Sequence, residues 1–215
     1  MNIYEKKLND NIYRLEVIDT VDIDDDFWDD EEYFNYNKLH DALQKIYARE
    51  DFNIEHNYAL VFGDDFKCKA VVKIATGNEK QVSSNGGDFI FATMSFDCKI
   101  VICCHNHPNN IVCPSSKDIY AHIKNVEALE SSGVLLFDSI VLGENDYFSF
   151  QEHDIWNPDL NDYGLEDEIE EAEIDNELDR DEPWFEYRTV DDCEMDCCAK
   201  ISRKMYREKY GKKED

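Results

Sequence analysis

The segment that most constrains the fold and the chemistry of this chain is residues 101–118, VICCHNHPNNIVCPSSKD. It begins with β-branched and small apolar residues, a pattern that predicts a buried strand. Because side chains alternate along a strand, His105 and His107 are predicted to point to the same face. Pro108 then ends the strand, since proline has no N–H to donate to the ladder. The sequence therefore presents two imidazoles together at the end of a buried strand.

Asp118 follows about one turn into a predicted helix and brings a carboxylate that admits two interpretations. If it converges with His105 and His107, the three groups leave one position open for a water on a four-coordinate zinc. Alternatively, the histidines are polar residues at a sheet edge, and Ser115-x-x-Asp118 is a helix N-terminal capping box. The two interpretations are compatible, because a cap would fix the turn that carries Asp118.

The whole string resembles the metal-binding signature of the JAB/MPN/JAMM superfamily and, within it, of the RadC-like proteins. That signature is His-x-His-Pro followed by Pro-Ser-x-x-Asp, and this chain has both parts, at residues 105–108 and 114–118. Upstream, Glu55 opens EHNYALVFGD, which is similar to an earlier family strand that begins with a glutamate. Residues 137–150 resemble the closing strands. The resemblance covers about residues 37–152, but the chain lacks the family's His-Pro-Arg-Glu-like string near residue 86.

The resemblance implies a zinc-dependent hydrolase of peptide or isopeptide bonds, often next to ubiquitin-like tails. The expected fold is a three-layer α/β (α+β) domain, with a mixed, mostly antiparallel sheet flanked by helices. His105, His107 and Asp118 are expected to bind Zn²⁺. Glu55 is expected to act as the general base and Ser115 to donate a hydrogen bond to the oxyanion. RadC-like genes often travel on phages and other mobile elements, which suggests a role in conflict between element and host.

The charge of the chain supports a second, different function. Fifty acidic residues against 22 basic ones give a formal net charge of −28. Such a surface repels phosphate backbones, so direct binding to duplex DNA is not expected. The alternative is an acidic interaction protein that mimics nucleic acid, as an anti-restriction protein would, or that occupies a basic partner. In that case the metal site is vestigial or structural.

Composition and hydrophobic patterning divide the chain into four parts. Residues 1–36 are predicted to form a strand or hairpin, with Ile12, Leu15 and Val17 turned inward, and an acidic loop anchored by Phe27 and Trp28. Residues 37–152 form the RadC-like domain. Residues 153–190 are predicted to be an acidic linker, and residues 191–215 are predicted to form a helix whose acidic start and basic end suit the helix dipole.

Within the domain, the periodicity of apolar residues predicts three helices and several strands. One weak strand is expected near Val82, a short buried helix is expected to begin at a cap formed by Asp88, and Gly133 is expected to end the last helix. The helices are predicted at 37–50, 88–96 and 115–131, and the remaining strands at 58–62, 68–75, 99–104, 134–142 and 147–150.

Eight cysteines raise the question of disulfides or a second metal site. The N-terminus has no apolar signal segment, and no apolar run approaches the roughly 18 residues that span a membrane. We therefore expect reduced thiols in a cytoplasmic protein that does not enter a membrane. Cys193, Cys197 and Cys198 could bind zinc with His153 or with each other, although their spacing matches no common zinc knuckle. Cys113 could be an extra ligand or a redox-sensitive thiol above the proposed site.

Overall fold

The computed structural model describes residues 1–9, 12–29, 33–153 and 155 of the chain. They form seven strands and three helices. In chain order these are β1 (Asn2–Asn9), β2 (Ile12–Thr20), α1 (Tyr36–Tyr47), β3 (His56–Phe62), β4 (Cys68–Thr76), α2 (Gly86–Ser95), β5 (Ile100–Asn106), α3 (Ser116–Ser131), β6 (Leu135–Leu142) and β7 (Tyr147–Ser149).

All seven strands belong to one sheet, in the order β2-β1-β4-β3-β5-β6-β7. Four of the six pairings are antiparallel, and the β1–β4 and β5–β6 pairings are parallel. The mixed, mostly antiparallel sheet expected from the sequence is therefore confirmed. β5, the strand that carries the two histidines, lies inside the sheet between β3 and β6.

The alternation of side chains along β3 divides the core into two layers. Tyr58, Leu60 and Phe62 pack with α1 in one apolar cluster. Ala59 and Val61 face the other side and pack in a second cluster, to which α2 and α3 contribute. Helices thus cover both faces of the sheet, which confirms the three-layer prediction.

Helix α1 forms because its apolar residues recur at the helical period and because Asn35 caps its N-terminus. The Asn35 side chain accepts a hydrogen bond from the Lys38 backbone N–H at 2.9 Å. In the loop before the helix, Phe27 and Trp28 are 0% and 6% exposed within the same cluster. The prediction that these two aromatics anchor the acidic loop is therefore confirmed.

The prediction for the N-terminal hairpin is partly wrong. The hairpin exists as β1 and β2, and Leu15 packs against the second cluster. Ile12 and Val17, however, are each 53% exposed rather than turned inward. The reason is that β2 is the outermost strand of the sheet, so that little covers its two faces.

Two predictions around α2 also need correction. No strand includes Val82 in the described part of the chain. Instead, the Asn78 side chain accepts hydrogen bonds from the backbone N–H groups of Lys80 and Gln81, which holds this stretch in a turn. The N-cap of α2 is Asn85, and Asp88 takes the third helical position of a capping box.

The structure bears on the other expectations only in part. No helix among the described residues is long and apolar enough to cross a membrane. The five described cysteines are free and buried. The acidic linker, the C-terminal helix and the cluster of Cys193, Cys197 and Cys198 lie outside the described residues.

Candidate metal centre

Strand β5 delivers both histidines to one side of the sheet. Ile102 and Cys104 face the α1 cluster, so His105 faces the opposite layer, where α2 and α3 lie. His107 follows just after the strand, and its backbone N–H donates to the carbonyl of Leu142 at 2.9 Å. This bond continues the contact with β6 and keeps His107 on the same face as His105.

Helix α3 delivers the carboxylate through its own N-terminal cap. The Ser115 hydroxyl and backbone N–H donate to Asp118 Oδ2 at 2.6 and 2.7 Å. The Asp118 backbone N–H donates in return to Ser115 Oγ at 3.3 Å, which completes a capping box. The carboxylate is thus oriented before any ligand binds. At the other end of the helix, Gly133 adopts φ = +73°, as its predicted capping role requires.

The three groups converge. His105 Nε2 lies 3.2 Å from Asp118 Oδ1, and His107 Nε2 lies 3.3 Å from Asp118 Oδ2. The two Nε2 atoms are 3.2 Å apart. One ligand atom from each residue falls within 4.8 Å of the others. Two imidazole nitrogens and a carboxylate oxygen are a donor set that zinc accepts, so the residues present fit this metal.

Contacts behind the centre set its electrostatics. His107 Nδ1 lies 2.6 Å from the carbonyl oxygen of Ile111, so Nδ1–H donates there and Nε2 is directed at the centre. Burial opposes ionisation of Asp118, yet the adjacent His105 and His107 hold the pKa of its carboxyl well below the usual range. Burial likewise opposes a charge on His107, but Asp118 outweighs it and raises the pKa of His107. Both effects mark a buried centre that attracts positive charge.

Glu55 lies beside this centre, immediately before β3. Its backbone is fixed by hydrogen bonds with Asn78 and Gly77, both 2.8 Å, and the residue is 1% exposed. The antiparallel ladder pairs Asn57 with His105, and two further steps of that register bring Glu55 opposite His107 on the same face. In agreement, the negative charge of Glu55 helps to raise the pKa of His107.

The neighbouring His56 points away from the centre, as expected for the adjacent residue of a strand. Its Nδ1 lies 3.3 Å from Thr76 Oγ1 and 3.5 Å from Glu50 Oε2, on the other face of the sheet. Cys113 is buried but does not join the group of converging ligand atoms found among the described residues. Burial, and to a smaller extent the charge of Asp118, raises the pKa of its thiol.

Asn106, between the two histidines, has a role that the sequence did not reveal. Its Oδ1 accepts the backbone N–H of His56 at 2.8 Å, and its Nδ2 donates to the carbonyls of Phe52 and Ile54 at 3.3 and 3.0 Å. The side chain therefore holds the backbone on both sides of Glu55. The only signal in the sequence was its place within the His-x-His string.

The fold and the converging His/His/Asp group define the class of protein as a JAB/MPN-type domain. The sequence model of the RadC-like JAB domain matches residues 35–155, more than half of the chain. The chain belongs to this family.

Relatives are similar to the chain over part of their length. A UPF0758 protein of Aquifex aeolicus is 33% identical over 82 residues, which are 38% of this chain and 36% of that protein. A UPF0758 protein of Coxiella burnetii is 30% identical over 113 residues, 52% of this chain and 50% of that protein. The chain thus spans about a third to a half of the length of these relatives, whose name states no activity.

Proposed function

We propose that the chain is a zinc-dependent hydrolase of peptide or isopeptide bonds. The observation that carries this proposal is the convergence of His105, His107 and Asp118 within 4.8 Å, with the buried Glu55 two residues before Asn57, the ladder partner of His105. A metal site with three protein ligands and an acidic group beside it is suited to hydrolysis rather than to a closed structural role.

Each residue has a defined task in the proposed reaction. His105, His107 and Asp118 would hold the ion, and Ile111 fixes the ring of His107 through Nδ1. Zinc at this position would supply a Lewis acid that makes a water acidic enough to lose a proton near neutral pH. Glu55 accepts the proton of the attacking water and returns it to the leaving amine.

Ser115 has a structural task before any catalytic one. Its hydroxyl donates to Asp118, and so does its backbone N–H. To donate to an oxyanion, the hydroxyl would turn away from Asp118, while the backbone N–H keeps the carboxylate in place. The proposed substrate is a protein or peptide, with ubiquitin-like tails as one class to test.

The test compares the zinc-loaded full chain with His107→Ala on a peptide library and on ubiquitin-like fusion proteins, with products identified by mass spectrometry. We expect cleavage by the wild type and none by the variant. His40→Ala is the matched control, because His40 contacts Gln44 and Tyr147 away from the centre. Absence of cleavage by the zinc-loaded wild type, or equal cleavage by His107→Ala, would refute the hydrolase.

The net charge of −28 favours a second function, the capture of a basic protein partner or the mimicry of nucleic acid. This function does not need the metal. A lysine-rich peptide should bind the full chain and His107→Ala equally, with an affinity that falls steeply as salt is added. An affinity that does not change with salt concentration would rule out a partner bound by electrostatic attraction.

A further inference from the structure

The N-terminal hairpin carries most of the large hydrophobic side chains that are exposed among the described residues. Five of the seven large hydrophobic residues that are exposed lie on β1 and β2: Leu8, Ile12, Tyr13, Val17 and Ile18, with exposed fractions of 43–57%. Three of them, Leu8, Tyr13 and Val17, share the face of the hairpin on which Leu15 lies. Exposed apolar residues that cluster on one face mark an interaction surface more often than a free one.

The backbone of the same hairpin is open to pairing. β2 is the outermost strand, and its ladder partner among the described strands is β1. β1 in turn pairs with β4 only through Ile3, Tyr4 and Glu5, so the far half of the hairpin extends past β4. The outer edge of β2 therefore presents N–H and C=O groups that another strand can bind.

The sequence of β2 is complementary to itself about Leu15. Arg14 and Glu16 flank Leu15, so a second antiparallel copy centred there would place each Arg14 opposite the Glu16 of the other copy. Tyr13 would then lie opposite Val17, within the part of β2 that precedes the irregularity at Ile18. Pairing centred on Arg14 or on Glu16 would instead oppose two like charges. The register centred on Leu15 thus pairs opposite charges and also places apolar residues opposite one another.

We propose that two copies of the chain associate through β2, antiparallel about Leu15, so that their sheets continue across a two-fold axis. The contact is isologous, because each copy contributes the same strand. The metal centre lies on β5, with β4 and β3 between it and β1, so each copy keeps its own centre uncovered. Each chain carries a net charge of −28, so added salt should strengthen the association by screening repulsion.

Charge exchange tests this surface in the full chain by sedimentation velocity. Arg14→Glu and Glu16→Arg each place like charges opposite one another, and each should weaken the dimer about tenfold or more. The double variant Arg14→Glu/Glu16→Arg restores opposite charges and should restore the dimer. Lys124→Glu makes the same change of charge on α3 and should leave the dimer unchanged.

Three results would overturn the proposal. They are a wild-type chain that stays monomeric at every concentration, a dimer that tolerates both single exchanges, and a double variant that remains as weak as the single ones. Residues 14 and 16 are both exposed, so the exchanges leave the core intact.

A separate observation concerns Asn57, which lies beside the metal centre. The β3–β5 ladder places Asn57 directly opposite His105, and opposite residues of an antiparallel pair share a face. Glu55, immediately before β3, and His107, just after β5, extend this pair to a patch of four polar side chains. Asn57 is only 8% exposed.

The Asn57 side chain is held on one side and unsatisfied on the other. Its Nδ2 donates to Ser84 Oγ at 2.9 Å, in the loop before α2. Its Oδ1 is buried and has no hydrogen-bond partner within the described ranges. A buried acceptor left in this state is unfavourable and indicates a missing donor.

We infer that Asn57 positions the substrate, an inference that rests on the proposed hydrolase. Its Oδ1 accepts the N–H of the amide bond to be cleaved, while Ser84 holds the carboxamide in place. An amide N–H is the group beside the scissile carbonyl that requires such an acceptor.

Two hydroxamates test this contact by calorimetry on the zinc-loaded chain. Acetohydroxamic acid has an N–H beside its chelating carbonyl, and N-methylacetohydroxamic acid lacks it. Asn57→Leu and Asn57→Ala should weaken binding of the first about tenfold and leave binding of the second unchanged. Zinc affinity measured alongside should match the wild type.

The outcomes separate this inference from the function on which it rests. Equal binding of acetohydroxamic acid by wild type and variants, or equal weakening of both probes, overturns the role of Asn57 and leaves the hydrolase standing. If the zinc-treated wild type binds neither probe, the proposed centre fails and the role of Asn57 fails with it.

Discussion

His107 illustrates how far the centre depends on contacts behind it. Its ring is directed by the carbonyl of Ile111, and its backbone is held by Leu142. Burial lowers the pKa of its ring, but Asp118, with smaller contributions from Ile111 and Glu55, outweighs burial and raises it. A histidine fixed in this way has lost most of its freedom before a ligand arrives, which lowers the entropic cost of binding a metal.

Glu55 is the residue whose chemistry is tested most simply. Glu55→Gln keeps the size and hydrogen-bonding shape of the side chain but cannot accept the proton of the attacking water. We expect unchanged zinc content and a loss of turnover of about 10²-fold or more. Glu127→Gln, on the exposed side of α3, is the matched control. Unchanged turnover of Glu55→Gln would remove Glu55 from the mechanism.

The raised pKa of the buried Asp138 carboxyl predicts that the stability of the fold depends on pH. Burial raises the pKa of this carboxyl from 3.8 to about 7, despite hydrogen bonds from Ser149, Gln151 and Tyr36. The folded chain therefore keeps a proton that the unfolded chain releases near pH 4. The stability that this proton contributes is present below about pH 4 and is lost as the pH rises to about 7.

Asp138→Asn removes this titration and keeps a similar shape. We compare the free energies of unfolding of the two chains, measured by denaturant at several pH values. Between about pH 4 and about pH 7, the free energy of unfolding of the variant should rise steadily relative to that of the wild type. Above about pH 7 the difference should level off. Burial and the charge of Asp138 raise the pKa of Glu152 to about 7 as well, so the variant should also make Glu152 more acidic. Parallel pH curves for the two chains would contradict this account.

The sequence allowed some of these residues to be predicted and concealed others. The two histidines lie two residues apart at the end of one strand and Asp118 shares a cap with Ser115, so local periodicity and capping rules predict where they lie. The choice of metal ligation over simple capping came from the family resemblance. Asn57 and Asn106 act through the pairing of β3 with β5. That register joins segments about fifty residues apart, and no local pattern specifies it.

At the scale of elements, α3 combines helix capping with ligand positioning. Ser115→Ala removes the hydroxyl that caps the helix and holds Asp118, so it should cost about 1 kcal/mol of stability and weaken zinc binding about tenfold. Asn35→Ala removes the cap of α1, on the opposite face of the sheet. It should cost similar stability without changing zinc affinity. Equal zinc affinities for both variants would show that the Ser115 cap does not contribute to zinc binding.

The elements that sequence patterns predicted least well lie where burial depends on distant partners. Two short apolar stretches on either side of residues 9–11 suggested a hairpin with Ile12, Leu15 and Val17 turned inward, but an inward face exists only if a neighbour covers it. β1 contacts β4 through three residue pairs, and this leaves Ile12 and Val17 exposed. Strands with two covered faces, such as β3 and β5, were predicted closely. A continuous run of apolar residues indicates such a strand even when its neighbours in the sheet are not known.

At the scale of the molecule, the N-terminal segment and the domain share one core. Ile3, Val21, Phe27, Trp28 and Phe34 are all buried in the α1 cluster. Removal of one large buried side chain typically costs about 3–5 kcal/mol, and a domain is stable by about 5–15 kcal/mol. Removal of residues 1–36 should therefore unfold the chain.

Two truncations check this expectation through soluble yield and thermal unfolding. A chain that begins at residue 37 should be insoluble or unfolded. A chain that ends at residue 155, where the family match ends, retains all three apolar clusters and should fold and bind zinc. A stable, zinc-binding chain that begins at residue 37 would show that the hairpin and the aromatic loop are dispensable.

The most direct test of the metal centre is a calorimetric titration of the full chain with zinc, beside His107→Ala and His40→Ala. We predict one high-affinity site per chain in the wild type and in His40→Ala, and its loss in His107→Ala. Equal zinc binding by His107→Ala and the wild type, or no binding by the wild type, would show that His105, His107 and Asp118 do not form a metal centre.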